Sequence, residues 1–301
     1  MINIDRAMHS NRIMKSLTGL NIEKFKEIVP YFEIVLLEDT KQRIKSDAKR
    51  VRAEGAGKKH TLKSIEEKLF YILFYLKVYP TFDLAGFIFD ADKTQACRWM
   101  HKFLPLLETA LDRKFVLPKR KIATMDEFIK LFPNIKDVFA DATERAVQRP
   151  ANNKMQRRLY SGKKKRHTRK NTILSDERKR ILVVTKTTRG SMHDKKQFDK
   201  SGLGKVIPKS VTIWTDTGYQ GLNNNYDLNH MQPKKRTKGK PLTPQEKEEN
   251  RTISSIRVVN EHAIGGIKRM RTTTDIYRNK IANTDDKFMI ISAGIWNLLI
   301  A

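Results

Sequence analysis

Three carboxylates in the order Asp, Asp, Glu are the side chains of this chain best suited to chemistry on phosphodiesters. Asp141 and Asp216 each follow a short apolar run, and Glu261 lies inside a helical pattern. A site that hydrolyses or transfers phosphodiesters uses hard oxygen ligands to hold two Mg²⁺ ions about 4 Å apart. Bound metal also removes the repulsion that raises the pKa values of clustered carboxylates. The three residues are therefore candidate metal ligands.

Each carboxylate taken singly has a simpler interpretation. An Asp after a strand is more often a turn former or a helix cap. A Glu on a polar helix face is usually solvated. The functional interpretation therefore rests on the order of the three residues, on their spacing and on the residues that flank them.

A mixed sheet is the element that must position the two Asp side chains. Strand-like runs, a connecting helix and two later helices favour an α/β domain. If the strands that precede Asp141 and Asp216 are adjacent, both carboxylates face one crevice, and the helix that carries Glu261 crosses the sheet and aims it at the pair. The runs are 138–141, 167–175, 180–188 and 210–216, and the helices are 194–203, 244–270 and 284–300.

The charge of the chain indicates the kind of partner. Its net charge is +28 and its pI is about 10.1, which favours nucleic acid first and an anionic membrane second. A ribosomal or merely soluble basic protein is the alternative. One cysteine, Cys97, excludes an intramolecular disulfide framework and a Cys-based zinc site. The N-terminus lacks a signal-peptide pattern and no apolar run is long enough to span a bilayer, so we expect a cytoplasmic protein.

The first 112 residues are predicted to be helical. Residues 1–60 contain one amphipathic pattern over 22–37, interrupted by Pro30, and a basic tether over 45–60. In residues 61–112 a capping box at Ser64 opens one helix, Pro80 ends it, and a second short helix leads through the turn 90–92 to a third. Asp90 suits the left-handed conformation that this turn requires. Two helices joined by a three-residue turn match the helix-turn-helix plan.

The helix that begins near Lys93 is the candidate DNA-reading element. An ordinary three-helix packing module with solvated polar residues is the alternative interpretation, but the charge and the turn chemistry favour DNA binding. The side chains that this helix would offer to a groove are Lys93, Thr94, Gln95, Arg98 and Lys102.

A second basic region lies close to Asp141 in the sequence. The stretch 154–170 carries nine Lys or Arg and no acid, so it is either a clamp on phosphates or a solvated charge run. Arg257 and Lys268 share a helical face with Glu261 and could also contact phosphate. His193 and Asp194 either approach the site or have structural or supporting roles, and the second interpretation is favoured because they lie outside the three carboxylates. The clamp candidates are Arg157, Arg158, Lys163, Lys164, Lys165 and Arg166.

Several separated motifs together resemble the transposases of bacterial insertion sequences, and most closely the insertion-sequence-five family of DDE transposases. The resemblance covers residues 61–300. Its last block has the Arg-x3-Glu-x6-Lys signature as Arg257, Glu261 and Lys268, although Ser254 stands where the family often has Tyr. The matching segments are 141–145, 148–150, 160–168, 190–194, 216–221 and 260–269.

The resemblance implies a ribonuclease-H-like catalytic domain at 138–301 with a basic insertion at about 222–243. It also implies a helix-turn-helix domain at 61–112 and a linker at 113–137. The implied catalytic and metal-binding triad is Asp141, Asp216 and Glu261, holding two Mg²⁺ or Mn²⁺ ions. Asp141 is expected to bridge both ions.

The implied activity is cleavage and strand transfer at the terminal inverted repeats of an element, with joining to target DNA. A homodimer on paired ends and a nucleoid-associated location in a bacterium are expected. A nuclease of the same fold that does not transpose, and a helix-turn-helix regulator without catalysis, are the alternatives.

Overall fold

The structure, a computed structural model, describes residues 2–46, 61–237, 239 and 241–301. Most of the predicted tether, residues 47–60, lies outside the described residues. Within the described ranges no helix is both long and apolar enough to cross a membrane. The helices are α1 Ile4–Met8, α2 Asn11–Thr18, α3 Ile22–Ser46, α4 Ile65–Val78, α5 Phe82–Ile88, α6 Lys93–Arg113, α7 Met125–Leu131, α8 Asn153–Leu159, α9 Asp194–Ser201, α10 Pro244–Ile267 and α11 Thr284–Ile300. The strands are β1 Asp137–Ala146, β2 Tyr160–Ser161, β3 Arg166–Asp176, β4 Ile181–Val184, β5 Thr188–Arg189, β6 Thr212–Trp214 and β7 Asn229–Met231.

Helices α4 to α6 form the predicted three-helix unit. The capping box at Ser64 is present, with Glu67 closing it. Tyr79 ends α4 in the left-handed region at φ 51°, and Asp90 adopts the predicted left-handed conformation at φ 55°. A Cβ atom at Gly86 would lie 2.5 Å from the Ala91 carbonyl oxygen, so the turn between α5 and α6 requires glycine there.

The N-terminal region is more structured than its sequence pattern predicts. Helices α1 and α2 precede α3, and each is too short for its apolar spacing to be recognised. Helix α3 continues through Pro30. Phe25 packs on Phe70 at 6.5 Å between ring centroids, and Phe32 packs on Phe103 at 6.3 Å. Residues 2–46 therefore share one core with α4 and α6.

The second half is a mixed sheet with helices on both faces, as expected. The strand order is β2-β3-β1-β6-β7, with β4 and β5 also paired to β3. Strand β1 is antiparallel to β3 and parallel to β6, and β6 is parallel to β7. Helices α7 and α9 pack against one apolar face, and α10 and α11 pack against the other.

Two details of the sheet differ from the sequence prediction. Asp141 lies in the middle of β1 and does not end it, because β1 pairs with β3 as far as Ala146, opposite Thr168. The basic insertion predicted at 222–243 is not all loop, since β7 pairs with β6 within it. A three-residue strand leaves too short a pattern to be recognised in sequence.

The predicted linker 113–137 packs against the sheet. The Lys119 N–H donates to the Leu182 carbonyl at 2.8 Å, and Phe128 of α7 is buried in the core. The core of the helical half likewise extends to Tyr277 and to Phe288 of α11. Both halves of the chain are thus joined by ordered, apolar contacts.

Candidate active site

The parallel pairing of β1 and β6 places Asp141 next to Asp216. Phe139 lies opposite Trp214, and each Asp follows its strand partner by two residues. The two strands are therefore adjacent, which is the condition for both carboxylates to face one crevice. The Ala142 N–H donates to Asp141 Oδ1 at 2.7 Å, so a backbone hydrogen bond helps to orient this carboxylate.

Asp216 belongs to a turn that orients its side chain. It caps the short 3-10 helix Thr217–Tyr219, and its Oδ1 accepts a hydrogen bond from the Gly218 N–H at 2.8 Å. A polar side chain that caps a helix end in this way has little rotational freedom. The second oxygen of Asp216 remains available to the crevice between β1 and β6.

The carboxylates of Asp141 and Asp216 in this crevice have too little positive charge around them to balance their own. Burial raises the pKa of Asp141 to about 6, and the neighbouring charge of Asp216 adds to the effect. The Arg257 guanidinium of α10 acts in the opposite direction and lowers that pKa. A divalent cation relieves this kind of repulsion, so the carboxylates suit a metal ion.

A further carboxylate, Asp194 at the start of α9, lies beside Asp216. A Cβ atom at position 218 would lie 2.9 Å from Asp216 Oδ1 and 3.2 Å from Asp194 Oδ2. Glycine at this position therefore keeps open the gap that the two carboxylates border. The charge of Asp194 also contributes to the raised pKa of Asp141.

Glu261 is not gathered into this cluster. It is exposed on α10, while its neighbour Asn260 faces inward and accepts a hydrogen bond from Ser175 Oγ of β3 at 2.9 Å. Glu261 follows Arg257 by one helical turn and shares its face. Among the residues that the structure describes, no three His, Cys, Asp or Glu side chains form a group that could hold a metal ion. The structure thus brings Asp141 and Asp216 together and leaves Glu261 apart.

Arg257 and Lys268, the two predicted phosphate contacts on this helix, differ in their surroundings. Arg257 is partly buried and close enough to affect the pKa of Asp141. Lys268 caps the end of α10 and is exposed. Only Arg257 therefore lies at the carboxylate crevice.

The predicted DNA-reading residues of α6 differ in how far they are exposed to solvent. Lys93, Thr94 and Arg98 are exposed, and Gln95 is partly exposed. Lys102 differs, because α3 packs along this part of α6. Its ammonium lies 6.0 Å from the centre of the Phe103 ring, and burial lowers its pKa.

The basic run before β3 forms a helix and a hairpin. Helix α8 opens the run, and β2 and β3 then form a hairpin with Ser161 opposite Arg166. All six predicted phosphate contacts of this run are exposed: Arg157, Arg158, Lys163, Lys164, Lys165 and Arg166.

One side chain of this basic run faces the interior, and the sequence analysis did not recognise it. Lys170 is buried and pairs with Asp194 and Glu144. Alternation along β3 is the signal that could have separated Lys170 from its exposed neighbours. Asp194 lies in a recognised motif, but only the fold shows that it borders Asp216.

Comparisons with known proteins agree with these observations. The family model described as "DDE superfamily endonuclease" matches residues 140–297. The model described as "Helix-turn-helix of DDE superfamily endonuclease" matches residues 60–113. The chain is also similar to the "Probable transposase for insertion sequence element IS702" of Microchaete diplosiphon, with 28% identity over 258 residues, 86% of this chain and 88% of the relative. No solved structure matches the chain significantly. The chain belongs to the DDE superfamily endonucleases and is a DDE transposase with an N-terminal helix-turn-helix.

Proposed function

We propose that this transposase binds the terminal inverted repeats of its element, cleaves DNA there and joins the freed ends to target DNA. The observation that carries the proposal is the parallel pair β1 and β6, which sets Asp141 beside Asp216. Two carboxylates in a partly buried crevice, with the Arg257 guanidinium nearby, suit a reaction at a phosphodiester.

We further propose that the sheet is a ribonuclease-H-like fold and that the chain belongs to the insertion-sequence-five group. An antiparallel set of strands followed by two parallel strands supports the fold. The proposed division is an N-terminal segment 1–60, a helix-turn-helix domain 61–112, a linker 113–137 and a catalytic domain 138–301.

The residues proposed to hold two Mg²⁺ or Mn²⁺ ions are Asp141, Asp216 and Glu261. The raised pKa of Asp141 and the gap kept open by Gly218 support this fit. Divalent ions bound there lower the pKa of the attacking water or 3′-hydroxyl and neutralise charge on the leaving oxygen. Asp216 is oriented by the hydrogen bond that its Oδ1 accepts from the Gly218 N–H. Glu261 is exposed on α10, so the proposed site requires its side chain to turn toward the pair.

Contacts with DNA are proposed at two surfaces. The exposed residues of α6 read base edges, and the basic residues of α8, of the β2–β3 turn and of α10 hold phosphates. Two element ends must be handled together, so we propose a homodimer on paired ends. The base-reading residues are Lys93, Thr94, Gln95 and Arg98, and the phosphate contacts are Arg157, Arg158, Lys163, Lys164, Lys165, Arg166, Arg257 and Lys268.

The test is cleavage of a labelled duplex that carries the terminal inverted repeat, in Mg²⁺, by the full chain. We expect nicking at the end of the repeat, and a loss of roughly 1,000-fold in Glu261→Ala because a lost metal ligand removes several kcal/mol of transition-state stabilisation. Glu248→Ala, a second exposed Glu of α10, is the matched control and should cleave normally. Equal cleavage by Glu261→Ala and wild type would contradict the assignment of Glu261.

A regulator without catalysis is the second candidate function. It is favoured by the exposed position of Glu261, which is not gathered with Asp141 and Asp216. Tight binding of the repeat by wild type without any cleavage would support it. Cleavage without joining to a second duplex would instead support a nuclease that no longer transposes.

A further inference from the structure

Three cavities lie between helix α6 and the candidate active site. The first has a volume of about 510 Å³ and is bordered by Lys93 at the start of α6 and by Arg278 of the loop 277–283, which precedes α11. The second, of about 480 Å³, shares Arg278 with the first. The third, of about 520 Å³, shares Leu159 and Arg169 with the second. Because each cavity shares walls with the next, the three lie in one row, which we call the basic trough.

The third cavity reaches the candidate active site through Met192. This residue lines the cavity, and its carbonyl accepts a hydrogen bond from Lys170 Nζ at 3.0 Å. The same Nζ donates to Asp194 Oδ1 at 2.7 Å, and Asp194 borders Asp216 at the gap kept open by Gly218. The basic trough therefore runs from the start of α6 at one end to the edge of the carboxylate crevice at the other.

The walls of the basic trough carry positive charge, which increases toward the active site. The first cavity is lined by two cations and one acid, which are Lys93, Arg278 and Asp83. Six further cations line the second and third cavities, all exposed, and none of the six forms an ion pair within the part of the chain that the structure describes. Like charges gathered in a depression strengthen the local field and attract an anion. The six are Arg149, Arg158, Lys186, Arg189, Lys200 and Lys280.

The two acids of the third cavity do not balance these cations. Asp285 is buried and pairs with Arg169 and, at 3.8 Å, with Arg145. Asp286 is also buried and pairs with Arg120 at 3.5 Å. The negative charge of both acids is thus taken up by Arg side chains of the protein itself, and the six exposed cations remain available to a ligand.

Both walls of the basic trough are held in place by hydrogen bonds. On one wall, the Tyr277 N–H donates to the last carbonyl of β1 at 2.9 Å, and the Arg278 N–H donates to the Tyr79 hydroxyl at 2.9 Å. On the other wall, Ser191 Oγ donates to the Arg158 carbonyl of α8 at 2.8 Å. A preformed groove loses little conformational entropy when it takes up a ligand.

We propose that the basic trough holds the phosphate backbone of the DNA that extends from the sequence read by α6 to the carboxylate crevice. The inference rests on the proposed function, in which α6 reads the repeat and the crevice acts on a phosphodiester. Phosphate contacts fix the position of a protein on a duplex without reading its sequence. The proposal adds five phosphate contacts to those on α8, the β2–β3 turn and α10, namely Arg149, Lys186, Arg189, Lys200 and Lys280.

The first experiment measures how the affinity of the full chain for a duplex carrying the terminal inverted repeat depends on salt, without divalent metal. Each phosphate contact that is lost reduces the slope of log K against log salt by about 0.9. Arg149→Ala/Arg189→Ala removes one exposed cation from each of two cavities. We expect this double variant to reduce the slope by about 1.8 and the affinity roughly 10-fold.

The matched control is Arg178→Ala/Arg180→Ala, which removes the same two charges. Both Arg side chains are exposed and lie in the turn between β3 and β4, at the opposite end of β3 from Arg169. This variant should keep the wild-type slope. An unchanged slope in Arg149→Ala/Arg189→Ala, or an equal reduction in the two double variants, overturns the proposal.

Two further variants separate phosphate binding from a structural role. Arg149 Nε donates to Gln156 Oε1 of α8 at 3.1 Å, so its truncation also removes a contact within the protein. Arg149→Lys/Arg189→Lys keeps both charges and should keep the wild-type slope. Lys280→Ala removes an exposed side chain and should reduce the slope by about 0.9, so it carries the test should the double Ala variant fail to fold. A wild-type slope in Lys280→Ala counts against the proposal.

Hydroxyl-radical footprinting tests where along the DNA the basic trough lies. Wild type should protect the backbone between the sequence read by α6 and the end of the repeat, and Arg149→Ala/Arg189→Ala should lose protection of that stretch alone. The same protection in both proteins overturns the proposal. If wild type binds the repeat no better than an unrelated duplex, the proposed recognition of element ends is wrong, while the salt slope on either duplex still tests the basic trough.

Discussion

The helical half of this transposase is held together by aromatic rings, whereas the sheet half buries charges. In α4 to α6 the ring centroids of Tyr71 and Phe89 are 5.0 Å apart in an edge-to-face pair, within a continuous apolar core. In the sheet, Lys170 and Arg145 are buried with acidic partners. Apolar packing contributes stability directly. Buried ion pairs often contribute little net stability, so we interpret those of the sheet as fixing side-chain positions.

This contrast is sharpest at two buried side chains of similar depth. Phe70 contacts other rings and needs no particular orientation to contribute. Arg145 is 3% exposed and must match Asp285 at 3.8 Å and the Tyr277 ring at 5.1 Å. The chain thus packs apolar volume in its helix-turn-helix half and buries oriented charges in the sheet that carries the candidate active site.

The largest effect on stability is expected from Phe70→Ala. Removing a fully buried ring leaves a cavity, so we expect the free energy of unfolding to fall by about 3–5 kcal/mol. Urea denaturation followed by circular dichroism measures it. Phe87→Ala is the control, because Phe87 is 84% exposed and its loss should change the free energy of unfolding by less than about 0.5 kcal/mol. Equal changes in the free energy of unfolding for the two variants would contradict the conclusion that packed aromatic rings stabilise the helical half.

Asp141→Asn is expected to raise the free energy of unfolding in the absence of metal, by less than Phe70→Ala lowers it. The pKa of Asp141 is about 6 in the folded chain against an ordinary 3.8, so the folded state binds this proton more tightly than the unfolded state. The stabilisation is complete below pH 3.8 and is lost as pH rises through about 6. At pH 8 in EDTA the Asn variant should therefore be more stable than wild type, by up to about 3 kcal/mol.

Urea denaturation at pH 4 and pH 8 measures this pH dependence. The two proteins should differ little at pH 4, where Asp141 is mostly protonated when folded. Asp227→Asn is the control, because its side chain is 79% exposed and its loss should change little at either pH. If wild type is as stable as Asp141→Asn at pH 8, burial in the crevice does not destabilise the ionised form of Asp141.

The smallest effect is expected from Arg278→Ala, which tests whether the two halves unfold together. Arg278 Nη2 donates to the Tyr79 carbonyl at 2.6 Å, and its guanidinium lies 4.3 Å from the centre of the Tyr79 ring. Its loss should cost about 1–2 kcal/mol, with a single calorimetric transition kept. Lys280→Ala, an exposed neighbour in the same loop, should unfold like wild type. Two separated transitions in wild type would contradict a shared core.

Local sequence signals predicted much of the fold. Ser64 and Asp90 act through contacts a few residues away, so the capping box and the turn could be recognised in sequence and are confirmed. The adjacency of the strands before Asp141 and Asp216 was only a condition of the sequence argument, and the structure supplies it through the pairing of β1 with β6. Once the strands are adjacent and parallel, their carboxyl ends lie at one edge of the sheet.

Longer-range features could not be predicted. The polar residues after Asp141 do not look like a strand, and only pairing with β3 shows that β1 continues to Ala146. Lys170 meets Asp194 across 24 residues of sequence, with no periodicity to indicate it. The assignment of Glu261 as a metal ligand stays a prediction.

The aromatic contacts between α4 and α11 determine how far apart the two DNA-handling regions lie. Phe288 packs at 6.4 Å from Tyr75 and at 5.9 Å from Tyr79, so the helix-turn-helix cannot swing away from the sheet without separating these rings. Successive base pairs rise about 3.4 Å along a duplex. Under the proposed function, in which α6 reads the repeat and the Asp141 site cuts a bond, a rigid offset between α6 and Asp141 corresponds to a set number of base pairs between the two positions on the DNA. One inserted base pair would shift that bond by about 3.4 Å and turn it by roughly a tenth of a helical turn.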